Sequence, residues 1–323
     1  NYQDEAASNE SKLKATWDEH MGTVEKETIF YRKAVVLLLS WHPDVDDLHT
    51  QGEVTELHDV FRDTFRYEAV RKVLTQGSGP TAQSQANKFL SDFVYDHDDT
   101  NTLLIVYYAG HGRPGESTGG LKLAGYSSKP SEDELHEVIW NSAEHNIRST
   151  KSDVLVIFDC CHAGELEKNV RSGFSRRAFE YLAATSAKST TRKPGKHSFT
   201  KALIWSLQNL VEMGKSFTTQ ELLTKVLNAP DFPKDQSPRL SERGSACVRR
   251  IVLAPLNRDI APETAKLRPE DEEEGARMDL SLRFVFNRTI TKQMVKNLAM
   301  ELRRVVSGDD FKARTVLWEG INS

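Results

Sequence analysis

Two apolar segments limit how this chain can fold, because each is long enough for a fully buried strand and each ends in a reactive side chain. The segment "NTLLIVYYAGHG" leads to His111, and "SDVLVIFDCCHAG" leads to Cys160 and Cys161. A continuous apolar run is typical of a parallel strand that helices cover on both faces. In open parallel sheets, ligands and reactive groups lie beyond the carboxyl ends of the strands. The sequence therefore predicts that His111 and Cys161 meet at one edge of a sheet.

The rest of the pattern alternates strands with helices. Apolar strands are predicted at "KAVVLLLS", "YEAVRKVLT", "FEYLAATS" and "ACVRRIVLAP", with amphipathic helices between them. One helix is predicted to begin with Ser131 and Glu134 in capping-box spacing and to continue through Ala143; another is capped by Thr218 with Glu221. The first of these is a right-handed crossover between the His111 and Cys161 strands. This alternation predicts an α/β fold with a mostly parallel sheet.

Changes in composition along the chain predict four parts. Residues 1–28 are charged and weakly patterned, and the acidic run "RPEDEEEG" marks a boundary. Beyond it, alternating Leu280, Leu282, Phe284 and Phe286 predict a strand, and a helix follows. The predicted parts are a leader at 1–28, an α/β domain at 29–256, an acidic linker at 257–278 and a small C-terminal βα module at 279–323.

Charge and cysteine content exclude several classes of protein. A net charge of -4 and a pI near 6.2 argue against nucleic acid or an anionic membrane as the main partner. The longest apolar run, residues 34–39, is far shorter than the ~20 residues that a bilayer requires. Cys160 and Cys161 are adjacent and Cys247 is distant, which makes a poor disulfide framework and fits a reducing compartment. We therefore expect a cytoplasmic protein.

The pairing of a thiol with an imidazole predicts nucleophilic catalysis. A free thiol with a pKa of about 8.5 is mostly protonated at neutral pH, and only the thiolate attacks a carbonyl carbon. His111 can take that proton and return it to a leaving amine. The backbone N–H groups of Gly112 and Cys161 are candidates for an oxyanion hole, since glycine permits close approach. Cys160 alternates to the other face of its strand, where packing is its expected role.

The motifs "YYAGHG" and "DCCHAG" resemble the paired His and Cys motifs of metacaspases and related caspase-like cysteine peptidases. His111 and Cys161 are 50 residues apart, a spacing similar to that of caspases. The resemblance covers roughly residues 31 to 255 and is to the compact type found in fungi. It implies a caspase-like three-layer sandwich with a mostly parallel central sheet. The residue pattern beyond the acidic run adds a small C-terminal α+β appendage to this fold. It also implies a cysteine endopeptidase with Cys161 as nucleophile, acting in regulated proteolysis or programmed cell death.

The resemblance also implies a substrate class. The acidic residues of the family's primary pocket fall on Asp159 and Asp59, and two carboxylates there would select Arg or Lys in protein or peptide substrates. Arg171, Arg176 and Arg177 are then candidate self-cleavage points, and the C-terminal module is a candidate partner-binding part. The region after His111 is short and holds few carboxylates, so the sequence does not support the calcium site that some metacaspases carry, although calcium stays open as a cofactor, and it indicates no other cofactor.

Three alternatives compete with this interpretation. A catalytically silent adaptor could keep the fold and recruit partners through its terminal segments, although it would have no need for His111, Gly112 and Cys161 together. A zinc site could use Cys160, Cys161, His162 and His111, but adjacent residues on a strand point in opposite directions. A ligand-binding domain of the flavodoxin kind is disfavoured, because "SWHPDVDD" after the first strand would repel phosphate.

Overall fold

The structure is a computed structural model of the chain. Its longest buried strands are formed by the continuous apolar segments of the sequence. It describes residues 12–13, 16–17, 20–21, 31–115, 120–126, 137–163, 170–175, 177–185, 191–214, 216–247, 250–256, 284–306 and 316. The strands are β1 (Lys33–Trp41), β2 (Glu68–Leu74), β3 (Thr102–Ala109), β4 (His111–Pro114), β5 (Leu121–Ala124), β6 (Val138–Ile139), β7 (Asp153–Asp159), β8 (Val170–Ser175), β9 (Phe179–Ala183), β10 (Phe217–Thr218), β11 (Arg239–Glu242), β12 (Gly244–Cys247) and β13 (Val252–Leu253).

Helices follow several of these strands along the chain. Among the described residues, the helices with defined bounds are α1 (Gln51–Asp59), α2 (Ala82–His97), α3 (Trp140–Glu144), α4 (Phe199–Glu212), α5 (Thr219–Leu227) and α6 (Lys292–Val306). A 3-10 turn at Pro43–Val45 follows β1, and a π-helical turn at Val60–Thr64 follows α1. The predicted capping box of Thr218 and Glu221 is present at the start of α5.

A six-stranded sheet in the order β11-β9-β7-β3-β1-β2 forms the centre of the fold. Its strands run parallel except β11, which is antiparallel to β9. The α/β class with a mostly parallel central sheet is thereby confirmed. β3 and β7 are neighbours, and their pairing ends with Ala109 opposite Asp159.

Helices cover both faces of this sheet. Alternate residues of β3 separate into two apolar clusters, so that Tyr107 packs on one face and Tyr108 on the other. The first cluster contains side chains of α1, α4 and α5, and the second contains side chains of α2 and α3. Each fully buried large apolar side chain contributes about 1.5–3 kcal/mol. The result is the predicted three-layer arrangement.

The structure corrects three predictions of local structure. Val138 and Ile139 form β6 and pair with β5, so the predicted helix begins only at Trp140. The β-branched pair favours a strand once a partner edge is present; the capping-box residues Ser131 and Glu134 lie outside the described part of the chain.

The two other corrections concern predicted strands. The segment "ACVRRIVLAP" is divided between β12 and β13, which pair with β8 and β10. Residues 284–286 are exposed and irregular, so this part of the predicted C-terminal strand is not a strand.

The chain forms two compact units, Ile29–Arg268 and Asn1–Thr28 together with Pro269–Ser323. In the second unit, Leu13, Trp17 and Met21 pack with Val295 and Ala299 of α6. The predicted leader and C-terminal module therefore share one apolar cluster, whereas the acidic linker at 257–278 lies outside the described residues. Within the ranges described, no helix combines the length and the apolar character needed to cross a membrane.

Candidate active site

The site lies where β3 and β7 end together. The last paired residues are Ala109 and Asp159, and the N–H of Gly110 donates to the carbonyl of Asp159 at 3.4 Å. His111 and Cys161 each follow two residues after the paired positions. The structure thus brings both predicted reactive segments to the same edge of the sheet.

Gly112 sets how closely the two segments approach. A Cβ built at this position would stand 2.1 Å from the carbonyl oxygen of Cys161 and 2.8 Å from the sulfur of Cys160. No real Cβ tolerates the first distance, so only glycine fits between the two segments. Cys160 is fully buried, and burial raises the pKa of its thiol well above the ordinary value. Its environment is that of a packing residue.

His111 is held through both its side chain and its backbone. The ring Nε2 lies 2.5 Å from Oδ1 of Asp47. The hydroxyl of Tyr108 donates to the His111 carbonyl at 2.9 Å and accepts from the indole N–H of Trp41 at 2.9 Å. Asp47 was not identified as a site residue from the sequence. Its segment, "SWHPDVDD", was used only as an argument against phosphate binding.

The sulfur of Cys161 faces Thr191. The Thr191 N–H donates to this sulfur at 3.3 Å, and the Thr191 hydroxyl lies 3.8 Å from it. Among the described residues, no hydrogen bond joins His111 to Cys161. The next residue, His162, has a left-handed backbone with φ of 59°. The chain therefore turns sharply just after the candidate nucleophile.

Asp159 is held at the amino end of α4. The Thr200 hydroxyl donates to Oδ2 of Asp159 at 2.5 Å, and the Tyr107 and Thr200 hydroxyl oxygens are 2.6 Å apart. Burial raises the pKa of Asp159 to about 7, and the negative charge of Glu53 adds to the rise, while the hydrogen bonds from Thr200 oppose it. A carboxyl group with such a pKa gains or loses its charge near neutrality.

Glu53 of α1 is the second carboxylate at this place. It is 7% exposed, and its Oε1 accepts hydrogen bonds from the Gly195 N–H at 2.7 Å and the Ser198 hydroxyl at 2.8 Å. Burial raises the pKa of Glu53, against these two hydrogen bonds. The charge of Glu53 also acts on Asp159, so the two acidic groups lie near each other. Through Gly195, Glu53 contacts the loop that leads from Thr191 to α4.

The structure does not bring Asp59 into this pair. Its Oδ1 lies 3.0 Å from the Arg62 guanidinium and 3.0 Å from the His58 ring, and the side chain is 44% exposed. Glu53 lies four residues before Leu57 and so shares the face of α1 that packs on the sheet. Helical spacing from Leu57 was the signal in the sequence that could have selected Glu53.

The candidate self-cleavage residues lie in one segment. Arg177 is anchored by hydrogen bonds to the carbonyls of Ile147 and Arg148 and to the Thr150 hydroxyl. Arg171 lies in β8, whose side chains are outside the described part of the structure, and Arg176 is outside it altogether. Over the residues described, no group of three or more His, Cys, Asp or Glu side chains is arranged to hold a metal ion.

The chain is similar to proteins of one known family. The family model described as "Caspase domain" matches residues 42–243, well over half of the chain. Among solved structures, the chain is similar to the crystal structure of caspase-1 from Spodoptera frugiperda, with 16% identity and a TM-score of 0.47, over 69% of this chain and 91% of that one. No curated protein matches the sequence.

Proposed function

The chain belongs to the caspase-domain family of cysteine peptidases, and from this premise we propose that it is an endopeptidase with Cys161 as nucleophile and His111 as proton carrier. One observation supports the assignment most. Both residues follow directly after a pair of neighbouring parallel strands, and Gly112 lies against the Cys161 carbonyl. Two reactive groups from distant parts of the chain are therefore held at one edge by backbone packing.

The reaction proceeds by acyl transfer. The thiolate of Cys161 attacks the peptide carbonyl carbon, and the C–N bond breaks as His111 protonates the leaving amine. Water then attacks the thioester, His111 takes its proton, and the sulfur leaves. The N–H groups of Gly112 and Cys161 are the proposed donors to the oxyanion. In unliganded enzymes such contacts are often long and tighten only with substrate.

We propose that the substrate residue before the cleaved bond is arginine or lysine. Asp159 lies two residues before Cys161 at the end of β7, and the charge of Glu53 acts on Asp159. Charge-assisted hydrogen bonds to such a pair of carboxylates favour a cationic side chain. Asp59 was the other predicted pocket residue, but it pairs with Arg62. The proposed substrates are protein or peptide segments with basic residues.

The same preference makes self-processing after Arg171 or Arg176 part of the proposal. Cleavage after Arg177 would first require the release of its contacts with Ile147, Arg148 and Thr150. Cys160 and Cys161 are both free thiols, which suits a cytoplasmic site of action. A role in regulated proteolysis or programmed cell death completes the proposal.

The experiment is hydrolysis of fluorogenic peptides that end in Arg, Lys or Asp before the reporter group. We expect turnover of the Arg and Lys peptides by the wild type and none by Cys161→Ala. Cys160→Ser is the matched control, since it changes the neighbouring buried thiol by a single atom, and it should keep most of the activity. Calcium is included in parallel reactions.

Three outcomes would contradict the proposal in whole or in part. Absence of turnover in wild type and variant alike, with and without calcium, would favour the catalytically silent adaptor. Equal activity of wild type and Cys161→Ala would assign the hydrolysis to another group. Turnover of the Asp peptide alone would keep the peptidase but refute the basic specificity.

A further inference from the structure

We propose that Asp47 is a positioning residue for His111, so that the site works as a Cys–His–Asp arrangement rather than as a dyad. The inference rests on the proposed peptidase function and adds one residue to it. It is carried by the contact of 2.5 Å between His111 Nε2 and Asp47 Oδ1. The His111 side chain is 15% exposed and that of Asp47 37%, so the contact is partly shielded from water.

The contact determines which ring nitrogen can exchange a proton with the thiol. A carboxylate only accepts hydrogen bonds, so Nε2 of His111 carries its hydrogen toward Asp47. The other nitrogen, Nδ1, is then the one with a lone pair. A second group that fixes the tautomer and the ring orientation in this way is a recurrent device around working histidines.

Asp47 lies in a turn with its own internal support. The buried carboxylate of Asp46 accepts hydrogen bonds from the N–H groups of Leu48 and Thr50, at 3.2 and 2.7 Å. It also accepts from the Thr50 hydroxyl and the Gln51 amide, each at 2.8 Å. Asp46 thus stabilises the turn, and its neighbour Asp47 reaches the histidine.

The same strand fixes both partners of the contact. The Asp47 N–H donates at 3.3 Å to the carbonyl of Gly125, directly after β5. A Cβ on Gly125 would stand 1.9 Å from the Val45 carbonyl oxygen, so the turn packs tightly there. β5 pairs with β4, and Ala124 lies opposite His111. Carboxylate and imidazole are therefore held in place before substrate arrives, as an efficient site requires.

The chemical consequence is stabilisation of the charged histidine. When Nδ1 takes the thiol proton, the imidazole becomes a cation, and the adjacent carboxylate favours that state. The proton then passes from Nδ1 to the leaving amine, which restores the neutral ring. Asp47 itself neither gains nor loses a proton in this cycle.

The experiment compares Asp47→Asn with Asp47→Glu and Asp44→Asn. We expect Asp47→Asn to lower kcat by about 10²- to 10⁴-fold with KM changed less than about threefold. Asp47→Glu keeps a carboxylate and should recover part of the loss. Asp44 lies on the same turn, is 85% exposed and contacts His42, so Asp44→Asn removes an equal charge and should leave kcat unchanged.

A second measurement does not depend on turnover. Alkylation of Cys161 by iodoacetamide is followed by mass spectrometry, with Cys161→Ala as the blank. At a fixed pH of about 6.5 we expect the reaction to slow roughly tenfold in Asp47→Asn, because His111 is then less well oriented to take the thiol proton. This readout separates a failure of the inference from a protein that cleaves none of the peptides tested.

Several results would overturn the inference. Unchanged kcat and unchanged alkylation in Asp47→Asn would show that the contact has no role. A rise in kcat would make Asp47 a brake that holds His111 away from Cys161. Loss of turnover with unchanged alkylation, or a loss that Asp47→Glu does not relieve in a folded variant, would assign Asp47 to substrate binding or to stability.

Discussion

The Cα of Gly112 lies directly against the backbone of Cys161, so close that a Cβ at residue 112 would meet the Cys161 carbonyl oxygen at 2.1 Å. The separation of the two reactive segments is therefore set by main-chain packing rather than by side-chain contacts. Because β4 continues from β3 with a single residue between them, any displacement of Gly112 also moves His111. Turnover should respond to the volume of residue 112.

Gly112→Ala tests this relationship. The added methyl group cannot fit beside the Cys161 carbonyl and the Cys160 sulfur, so the two segments must separate. We expect a loss of about 1–3 kcal/mol in the free energy of unfolding, typical of overpacking in a dense interior. We also expect loss of at least about 99% of kcat, since a shift of about 1 Å at a reactive site costs about 10²-fold. Urea denaturation and peptide hydrolysis measure the two effects.

Gly52→Ala is the matched control. Gly52 lies in α1, and a Cβ there meets no atom within 4 Å. Alanine in a helix is favoured over glycine by about 0.5–1 kcal/mol, so this variant should be slightly more stable and fully active. If Gly112→Ala behaves like Gly52→Ala, the packing argument for residue 112 is wrong.

The sequence was most informative where the chain is buried on both faces. The continuous apolar runs of β3 and β7 predict parallel strands without reference to other segments, and the βα alternation predicts that they can be neighbours. These two features were enough to place His111 and Cys161 at one edge. Helix signals near β6 were misleading, because the pairing of Val138 with Leu123 depends on the preceding strand, β5, which lies outside the window that a helical pattern covers.

Residues that act through a neighbour were harder to find. Asp47 and Glu53 reach the site only because β1 lies beside β3 and because α1 packs against α4. Both residues lie in a polar segment that contains several carboxylates. The sequence does not distinguish these carboxylates from one another, and only the folded structure shows which two lie at the site. The reactive residues at the strand ends, His111 and Cys161, could be predicted from the sequence. The residues that contact them could not, because those contacts depend on how distant segments pack.

Glu53→Gln tests the assignment of the second pocket carboxylate. Glutamine keeps an oxygen that can accept from Ser198 and Gly195 but removes the negative charge. We expect KM for an Arg peptide to rise about tenfold, since a hydrogen bond to a charged group contributes about 1.5–3 kcal/mol. Steady-state kinetics with matched Arg and neutral peptides measure the effect.

Asp59→Asn is the corresponding control on the same helix. It removes only a surface contact with Arg62 and His58, and such pairs contribute about 0–1 kcal/mol to stability. KM for the Arg peptide should stay within about twofold of the wild type. The opposite pattern, a large effect at residue 59 and none at 53, would restore the original prediction for Asp59.

The raised pKa of Asp159 predicts how stability depends on pH. This carboxyl group ionises at an ordinary value of 3.8 in the unfolded chain and at about 7 in the folded protein, chiefly because burial disfavours its charge. Between these values the folded state binds more protons than the unfolded state, so this group makes the protein less stable as pH rises from about 4 to about 7.

The variant Asp159→Asn tests this pH dependence, because its side chain is neutral at every pH and lacks the effect. The difference in unfolding free energy between wild type and Asp159→Asn, measured by urea denaturation at several pH values, should fall across that interval and level off above it. A difference that stays constant from pH 4 to 8 would show that the buried carboxyl group titrates as it does in water.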